Sequence, residues 1–403
     1  MQVISSLLMA CAVGAASASP LSLGTPEIDL LGNPNPKPDA RGLLPPAPDA
    51  RGPLPPVTSV PALNTGLNKA AKAPLPLPAR TIYQFPEEHS WVENLFVRDN
   101  GDILMTMMWP KPSLYLLKNP STNEGAEPKL LHTFDDAQGL LGITETAPDT
   151  YALVSSKFSG MAAVVANGSA IWEVSIQDVA NPKVRKVTNL PEGGFLNGVV
   201  KLHSPACRNV APEDSKCILV SDSFNGLVWS VNTITGDYKV AVKVPEMDPI
   251  ADAALPFGVN GIKIVGHYLY WANSDRLTMH RVSMDMQTGT MSKGAKVETL
   301  VTLKDTAFLD EFDIDEDGTI WGVTNADNRL IAMRPQDGSY ETVVGSATEM
   351  TLAGDTSARF GKGAGNRRTL YITTGGAGVV PVNGTITEAA KLVAVDTRGY
   401  LGL

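Results

Sequence analysis

The sequence predicts an all-β fold, a six-bladed β-propeller, on three observations. Helical periodicity is nearly absent, short β-rich runs separated by Asn, Asp and Gly turns dominate from Tyr83 onward, and those runs recur in a shared layout. The recurrence is roughly 45–60 residues, the length of a four-stranded blade, so about six blades fit between Thr81 and the C-terminus.

The chain opens MQVISSLLMACAVGAASASP, an apolar run too short to span a bilayer that ends at the small-residue site Ala16-Ser17-Ala18. Residues 1–18 are therefore expected to be a signal peptide, which directs the protein to the secretory route as a secreted or vesicular product. Residues 19–80 are rich in Pro and Ala, with PDARGLLPP followed by PDARGPLPP. Such a segment buries little and prefers polyproline geometry, so it is expected to be a disordered or extended leader, with the propeller in 81–403. Loss of the signal removes Cys11 and leaves Cys207 and Cys217. In an oxidising compartment that pair most simply forms one disulfide closing a surface loop, and the spacing excludes a CxxC metal site. Asn167-Gly168-Ser169 and Asn383-Gly384-Thr385 are glycosylation sequons. No later hydrophobic run is long enough for a membrane span. With net charge −9 and no basic cluster, nucleic acid and anionic membrane are poor partners. The oligomeric state is not legible.

The strand Thr81 to Phe85 is expected to complete the last blade and close the ring, which removes exposed sheet edges. The first blade opens with Glu93 to Thr106, a strand, an Asn100-Gly101 turn and a second strand. Weaker copies begin near Gly139 and at Asn197, where the Cys207–Cys217 excursion interrupts the third blade. Asn260 to Asn273 repeats the layout with Arg281-Val282-Ser283 as third strand, Asp310 to Val323 repeats it again, and a last copy begins near Ser357.

Within the fifth copy, FDIDEDGTIW looks at first like a calcium loop. Counting from Asp313, carboxylates and a glycine fall where an EF-hand needs them, but the twelfth position is Thr324 instead of a bidentate glutamate. The flanks alternate as strands do, so the stretch is read as a hairpin turning at Glu316-Asp317-Gly318. Asp313, Asp315 and Asp317 are then solvent-facing and turn carboxylates.

Innermost propeller strands all begin at one mouth of the central channel, so their first residues converge. The four clearest begin with Glu93, Asn197, Asn260 and Asp310. Two carboxylates and two amides, all oxygen donors with charges summing to −2, form a candidate catalytic set and a candidate hard-cation site, for calcium or a similar divalent ion. Trp91, Phe195, Phe257 and Phe308 each lie just before an innermost strand, as walls of a small-molecule site or as blade-to-blade packing.

These residues carry a resemblance. Glu93, Asn197, Asn260 and Asp310 match the metal-ligand pattern of the senescence-marker-protein/gluconolactonase family, six-bladed propellers that hydrolyse lactones with a divalent ion. GVNGIKI, LDEFDIDEDGTIW and WVENLF resemble three of its strands. The resemblance implies that Asp310 binds the ion and serves as general base. Glu311 stands where the family has glycine, and the strand around Asn197 matches loosely. A closer resemblance is to a fungal secreted branch of this superfamily, carried by Glu93 to Thr106, Gly258 to Ile262, Asp310 to Gly318 and Phe360 to Gly376. That branch includes hetero-Diels–Alderases of tropolone–sesquiterpenoid biosynthesis. The implied reaction joins a polyketide-derived tropolone ortho-quinone methide to humulene or a similar terpene, a cycloaddition that requires no cofactor. The alternatives are a metal-dependent lactonase and, without catalysis, a secreted propeller that binds a sugar or protein through its loops.

Other motifs carry less. The five histidines show no ligand spacing, Ser221-Asp222-Ser223 lacks the turn of a nucleophile elbow, and Gly361-Lys362-Gly363-Ala364-Gly365 lacks the Walker spacing. Arg367-Arg368 reads as a solvated hairpin tip.

Overall fold

A computed structural model describes residues 73–122, 125–158, 165–205, 216–253, 255–363 and 365–400. The expected signal peptide, most of the leader and Cys207 lie outside the described residues.

The described chain is almost entirely strand. It begins with β1 (Ala79–Gln84) and then builds five sheets in succession. The first holds β2 (Trp91–Val97), β3 (Ile103–Trp109), β4 (Ser113–Leu117) and β5 (Lys129–Thr133); the second β6 (Gly139–Ala147), β7 (Thr150–Ser156), β8 (Ala170–Ser175) and β9 (Lys183–Asn189). The third holds β10 (Leu196–Leu202), β11 (Cys217–Asp222), β12 (Leu227–Asn232) and β13 (Tyr238–Val242). The fourth has β14 (Val259–Val265), β15 (Tyr268–Asn273), β16 (Thr278–Asp285) and, after the two-residue strand β17 (Thr290–Met291), β18 (Glu298–Thr302). The fifth has β19 (Phe312–Ile314), β20 (Ile320–Val323), β21 (Arg329–Arg334) and β22 (Ser339–Gly345). Finally β23 (Asp355–Phe360), β24 (Thr369–Thr374) and β25 (Lys391–Asp396) form the sixth, with β1 antiparallel to β25 as its outer strand. The predicted six-bladed propeller is thus the fold observed, and the ring closes by the N-terminal strand.

One apolar cluster fills each interface between neighbouring blades. Leu104, Leu116 and Leu131 of blade 1 meet Ile143, Tyr151 and Trp172 of blade 2, and Trp321 and Leu330 of blade 5 meet Leu370 and Val393 of blade 6. Alternating apolar residues on strands buried on both faces supply these layers. The folded chain begins earlier than Thr81: Leu77 is buried in the blade 5–6 cluster and its N–H donates to Val343 O at 2.8 Å.

The innermost strands β2, β6, β10, β14, β19 and β23 neighbour one another in a ring. Five of the six break their ladder near the start. The register shifts between Val92 and Asn94, Leu140 and Ile143, Leu196 and Val199, Val259 and Ile262, and Asp355 and Ser357. Such bulges re-aim side chains, and Glu93, Asn197 and Asn260 sit in three of them. Two glycines make the close packing of the ring possible. A Cβ on Gly198 would lie 2.8 Å from Asn260 O, and one on Gly142 would lie 2.5 Å from Asn197 O.

The calcium-like stretch is a hairpin, as expected. Gly318 has φ +81° and Asp315 N–H donates to Thr319 O at 3.0 Å. Asp317 is exposed in the turn, but Asp313 and Asp315 are not solvent-facing. Asp315 Oδ1 accepts the N–H groups of Asp317 and Thr319, its Oδ2 accepts the Trp321 indole N–H, and Asp313 Oδ2 accepts Phe360 N–H of the next blade at 2.8 Å. Arg367 and Arg368 are not simply solvated either, since they pair with Glu316 at 2.9 Å and Asp317 at 2.8 Å across the same blade boundary.

Candidate functional site

The structure brings the sequence-predicted polar residues to one channel mouth. Glu93, Asn197, Asn260 and Asp310 are all buried, with Glu93 6% and Asp310 3% exposed. Asn260 Nδ2 donates to Asp310 Oδ1 at 2.9 Å and to Ser274 Oγ at 2.9 Å, and Asn325 Nδ2 donates to Asp310 Oδ2 at 2.9 Å. The Trp91 indole N–H donates to Glu93 Oε2. Asn197 is held more loosely, its Nδ2 reaching Ser223 Oγ at 3.5 Å.

Burial pushes both acids up. Glu93 rises to about 7, first from desolvation and further from the nearby Glu311 charge, against the indole hydrogen bond. Asp310 rises well above the ordinary carboxyl range through burial and the neighbouring Glu93, with the amides of Asn325 and Asn260 opposing. Two carboxyls in mutual reach do not both ionise readily, so one of them holds a proton at neutral pH.

Several polar atoms at this mouth have no partner among the described residues. Asn197 Oδ1, Asn260 Oδ1, Ser156 Oγ and Asp355 Oδ1 are all buried and unbonded. Buried polar atoms are nearly always satisfied, so four orphans at one end of a channel mark a place built to meet a ligand or ion. The same atoms suit a divalent cation. Asn197 Oδ1 and Asn260 Oδ1 with the Glu93 and Asp310 carboxyls make an all-oxygen set in which the two amide oxygens lack any other use. Among the described residues no group of three His, Cys, Asp or Glu is placed to hold a metal ion.

The predicted walls also meet. Phe195 packs edge-on to Phe257 at 4.9 Å between ring centres, and Phe257 edge-on to Phe308 at 5.9 Å. Two rings that follow β7 and β11 extend the row: Phe158 stacks on Phe195 at 5.8 Å, and Phe224 meets Phe257 at 5.0 Å. Phe195 and Phe257 are buried, whereas Phe158, Phe224 and Phe308 are only partly so. The row therefore serves both readings of these residues, with a packed base and partly open faces. Trp91 stands apart on the blade 6 side, where a Cβ on Gly375 would lie 2.6 Å from its ring. Phe158 and Phe224 escape sequence reasoning because they follow second strands instead of preceding first ones. Trp109, which ends β3 opposite Trp91 and is 55% exposed, escapes for the same reason.

Below the mouth the channel is crossed by a buried ion pair. Glu311 Oε2 pairs with Lys263 Nζ at 2.8 Å, and Glu311 Oε1 accepts Asn94 Nδ2 at 3.3 Å. Lys263 belongs to blade 4 and Asn94 to blade 1, which face each other across a six-membered ring, so the carboxylate lies on the axis. Burial alone would raise Glu311, but Lys263 and Arg359 outweigh it and hold the group low and ionised. A Cβ on Gly261 would lie 2.9 Å from Glu311 Oε2, and one on Gly198 3.0 Å from its Oε1. The Glu311 side chain thus runs down the channel, between Lys263 and Asn94.

The opposite mouth, at the far ends of the same strands, holds two cavities. One of ≈ 520 Å³ lies among Phe96, Arg98, Tyr151, Lys201 and Ile264. The other, ≈ 380 Å³, lies among Asp99, Asp315, Phe360 and Lys362. No sequence-predicted site residue lines either. Elsewhere, Asn167 and Asn383 are exposed in turns, Cys217 is buried at the start of β11, and no described helix is long and apolar enough to cross a membrane.

No protein-family model matches the chain. A protein of Sarocladium schorii provisionally named hetero-Diels–Alderase is 29% identical over 356 residues, covering 81% of this chain and 86% of the relative. A Phoma protein of the same provisional name is 29% identical over 327 residues, covering 74% of this chain and 87% of the relative. Among solved structures, the luciferin-regenerating enzyme superposes with a TM-score of 0.56 at 14% identity, over 80% of this chain and 96% of that one. A calcium-binding regucalcin of Agrobacterium tumefaciens gives 0.50 at 14% identity, over 80% and 96%. At such identities these structures speak for the fold alone. The chain is a six-bladed β-propeller related over most of its length to fungal proteins that carry the hetero-Diels–Alderase name.

Proposed function

We propose that the protein catalyses an intermolecular hetero-Diels–Alder cycloaddition at the aromatic mouth, between a tropolone-type ortho-quinone methide and humulene or a similar terpene. The names of its two fungal relatives support the reaction class over lactone hydrolysis. The observation that carries the location is the pair of buried carboxyls that share a proton, Glu93 and Asp310, set among orphaned polar atoms beside a row of phenyl rings.

The cycloaddition forms one C–C and one C–O bond and releases no atom, so the protein needs only to hold, orient and polarise. Glu93 Oε2 accepts the Trp91 indole, which leaves Oε1 to carry a proton toward a ligand oxygen. Hydrogen bonding to the quinone-methide oxygen draws electron density from the diene and stabilises the charge that develops there. The open faces of Phe158, Phe224 and Phe308 hold the hydrocarbon, and holding both partners together supplies several kcal/mol, on the order of the gain from converting a bimolecular step to a unimolecular one. The decisive assay incubates the protein with thermally generated quinone methide and humulene. More adduct, of one stereochemistry, is expected; a product distribution equal to the protein-free control overturns the proposal.

A second reading rests on the orphaned amide oxygens of Asn197 and Asn260. With Glu93 and Asp310 they would hold a divalent cation, calcium or similar, which when bound would supply charge to polarise a carbonyl, and Asp310 would act as general base on the water that opens a lactone. Lactone hydrolysis that is abolished by chelator and restored by calcium would establish it. Chelator-insensitive behaviour, with no ion found in the purified protein, removes it. A binding propeller would instead lose partner capture on loop substitution and turn over no small molecule. The secretory location, a Cys207–Cys217 disulfide and glycans on Asn167 and Asn383 complete the proposal. The exposed turns of both asparagines support the last of these.

A further inference from the structure

At the break in its ladder each of five innermost strands places one residue just ahead of the bulge. In β2, β6, β10 and β14 that residue is Val92, Leu140, Leu196 and Val259, all fully buried between blades. In β23 it is Asp355, equally buried, with Oδ1 lacking any partner. A carboxyl in an aliphatic position, half unsatisfied, costs stability, so what it touches is informative.

It touches the turn that serves Asp310. Asp355 Oδ2 accepts Thr324 N–H at 3.4 Å, and the Asn325 backbone N–H also bears on the group. Asn325 lies in the left-handed region at φ +52°, and from that conformation its Nδ2 donates to Asp310 Oδ2 at 2.9 Å. We propose that Asp355 is a positioning residue, which holds the Thr324–Asn325 turn so that the Asn325 amide orients the Asp310 carboxyl at the mouth. Its role in turnover rests on the cycloaddition reading, but its role in orienting Asn325 does not. Burial pushes Asp355 well above the usual carboxyl range, so it works as a neutral acceptor. An asparagine in its place keeps that acceptor.

The first arm of the test needs no substrate. With selective 15N-asparagine labelling, the side-chain amide of Asn325 is identified by its loss in Asn325→Ala. Asp355→Ala is expected to shift that resonance and speed its solvent exchange by roughly tenfold or more, as loss of one such hydrogen bond allows, whereas Asp355→Asn keeps both as in the wild type. If Asp355→Ala does not fold, Asp355→Val carries the same expectation, since it restores the aliphatic residue of the other strands. An unaltered resonance and exchange rate in either variant overturns the proposal. The second arm measures turnover of quinone methide with humulene. Asp355→Val and Asn325→Ala are expected to lower kcat by a similar factor, roughly tenfold, with KM little changed, and the double variant should be no worse than either single one. A shifted amide with unaltered turnover upholds the positioning and overturns the cycloaddition reading at Asp310.

Discussion

The two mouths of the channel are made by the same six strands and are chemically unlike. Where the strands begin, the side chains are buried, two carboxyls are pushed up by burial, four polar atoms lack partners and phenyl rings form a row. Where the strands end, charges are paired: the exposed Asp99 with Lys362 at 2.9 Å, and the part-buried Arg98 with Asp102 at 2.8 Å. Two cavities lie at this second mouth. A cavity alone would point there, whereas the proposed site rests on the buried, unpartnered polar atoms of the first. A satisfied charged surface has little left to offer a ligand, whereas buried orphans and acids with raised pKa values do.

The Lys263–Glu311 pair separates the two ends, and breaking it gives the largest expected effect. Lys263→Met or Glu311→Leu alone strands a charge on the axis and should cost roughly 3–5 kcal/mol, read by denaturant unfolding. The double variant should recover most of that loss. If the single variants unfold like the wild type, the pair is not the barrier described.

Within the aromatic mouth, Phe257→Ala removes a packed ring and should lower stability by about 3–5 kcal/mol. Phe308→Ala removes a partly open one, so its stability loss should be clearly smaller while adduct yield falls. Equal stability losses for the two would erase the distinction between packed base and open face.

Protonation sharpens the contrast further. Glu93 titrates near 7 in the folded protein against an ordinary value of 4.5. Its folded value is raised, so the native state holds the proton more tightly than the unfolded chain does. The resulting stabilisation is complete below about pH 4.5 and is lost as pH rises through about 7, an effect on the order of 3 kcal/mol. Unfolding free energies measured between pH 4 and 8 should show the decline, and Glu93→Gln should flatten it. Rate enhancement should fall over the upper part of the same range if the neutral acid is the donor.

The smallest effect belongs to the second mouth. Lys362→Ala breaks an exposed pair and should change stability by less than about 0.5 kcal/mol, with product distribution unaltered. A marked loss of turnover would transfer the candidate site to that end.

Much of this molecule was legible before its structure. Strand periodicity and glycine turns located the blades, because each blade repeats the same local demands on φ and on alternation. Glu93, Asn197, Asn260 and Asp310 were legible because a propeller gathers its first-strand starts. No local signal marks the bulges beside them. The dipeptides Asn197-Gly198 and Asn260-Gly261 look like ordinary turn signals, yet both lie inside strands where the glycine lets the next blade approach. Asp313 and Asp315 looked like solvent-facing acids and proved to bind backbone and indole N–H groups.

The blade count, the all-β class and the polar residues near the starts of the innermost strands follow from local pattern and repeat length. Long-range packing alone turns Glu311 down the axis to Lys263, brings Phe158 and Phe224 into the row and sets Asp355 against the Thr324–Asn325 turn. Those contacts join residues distant in the chain across blade boundaries. Their geometry depends on how six sheets close around one axis, which no local pattern encodes.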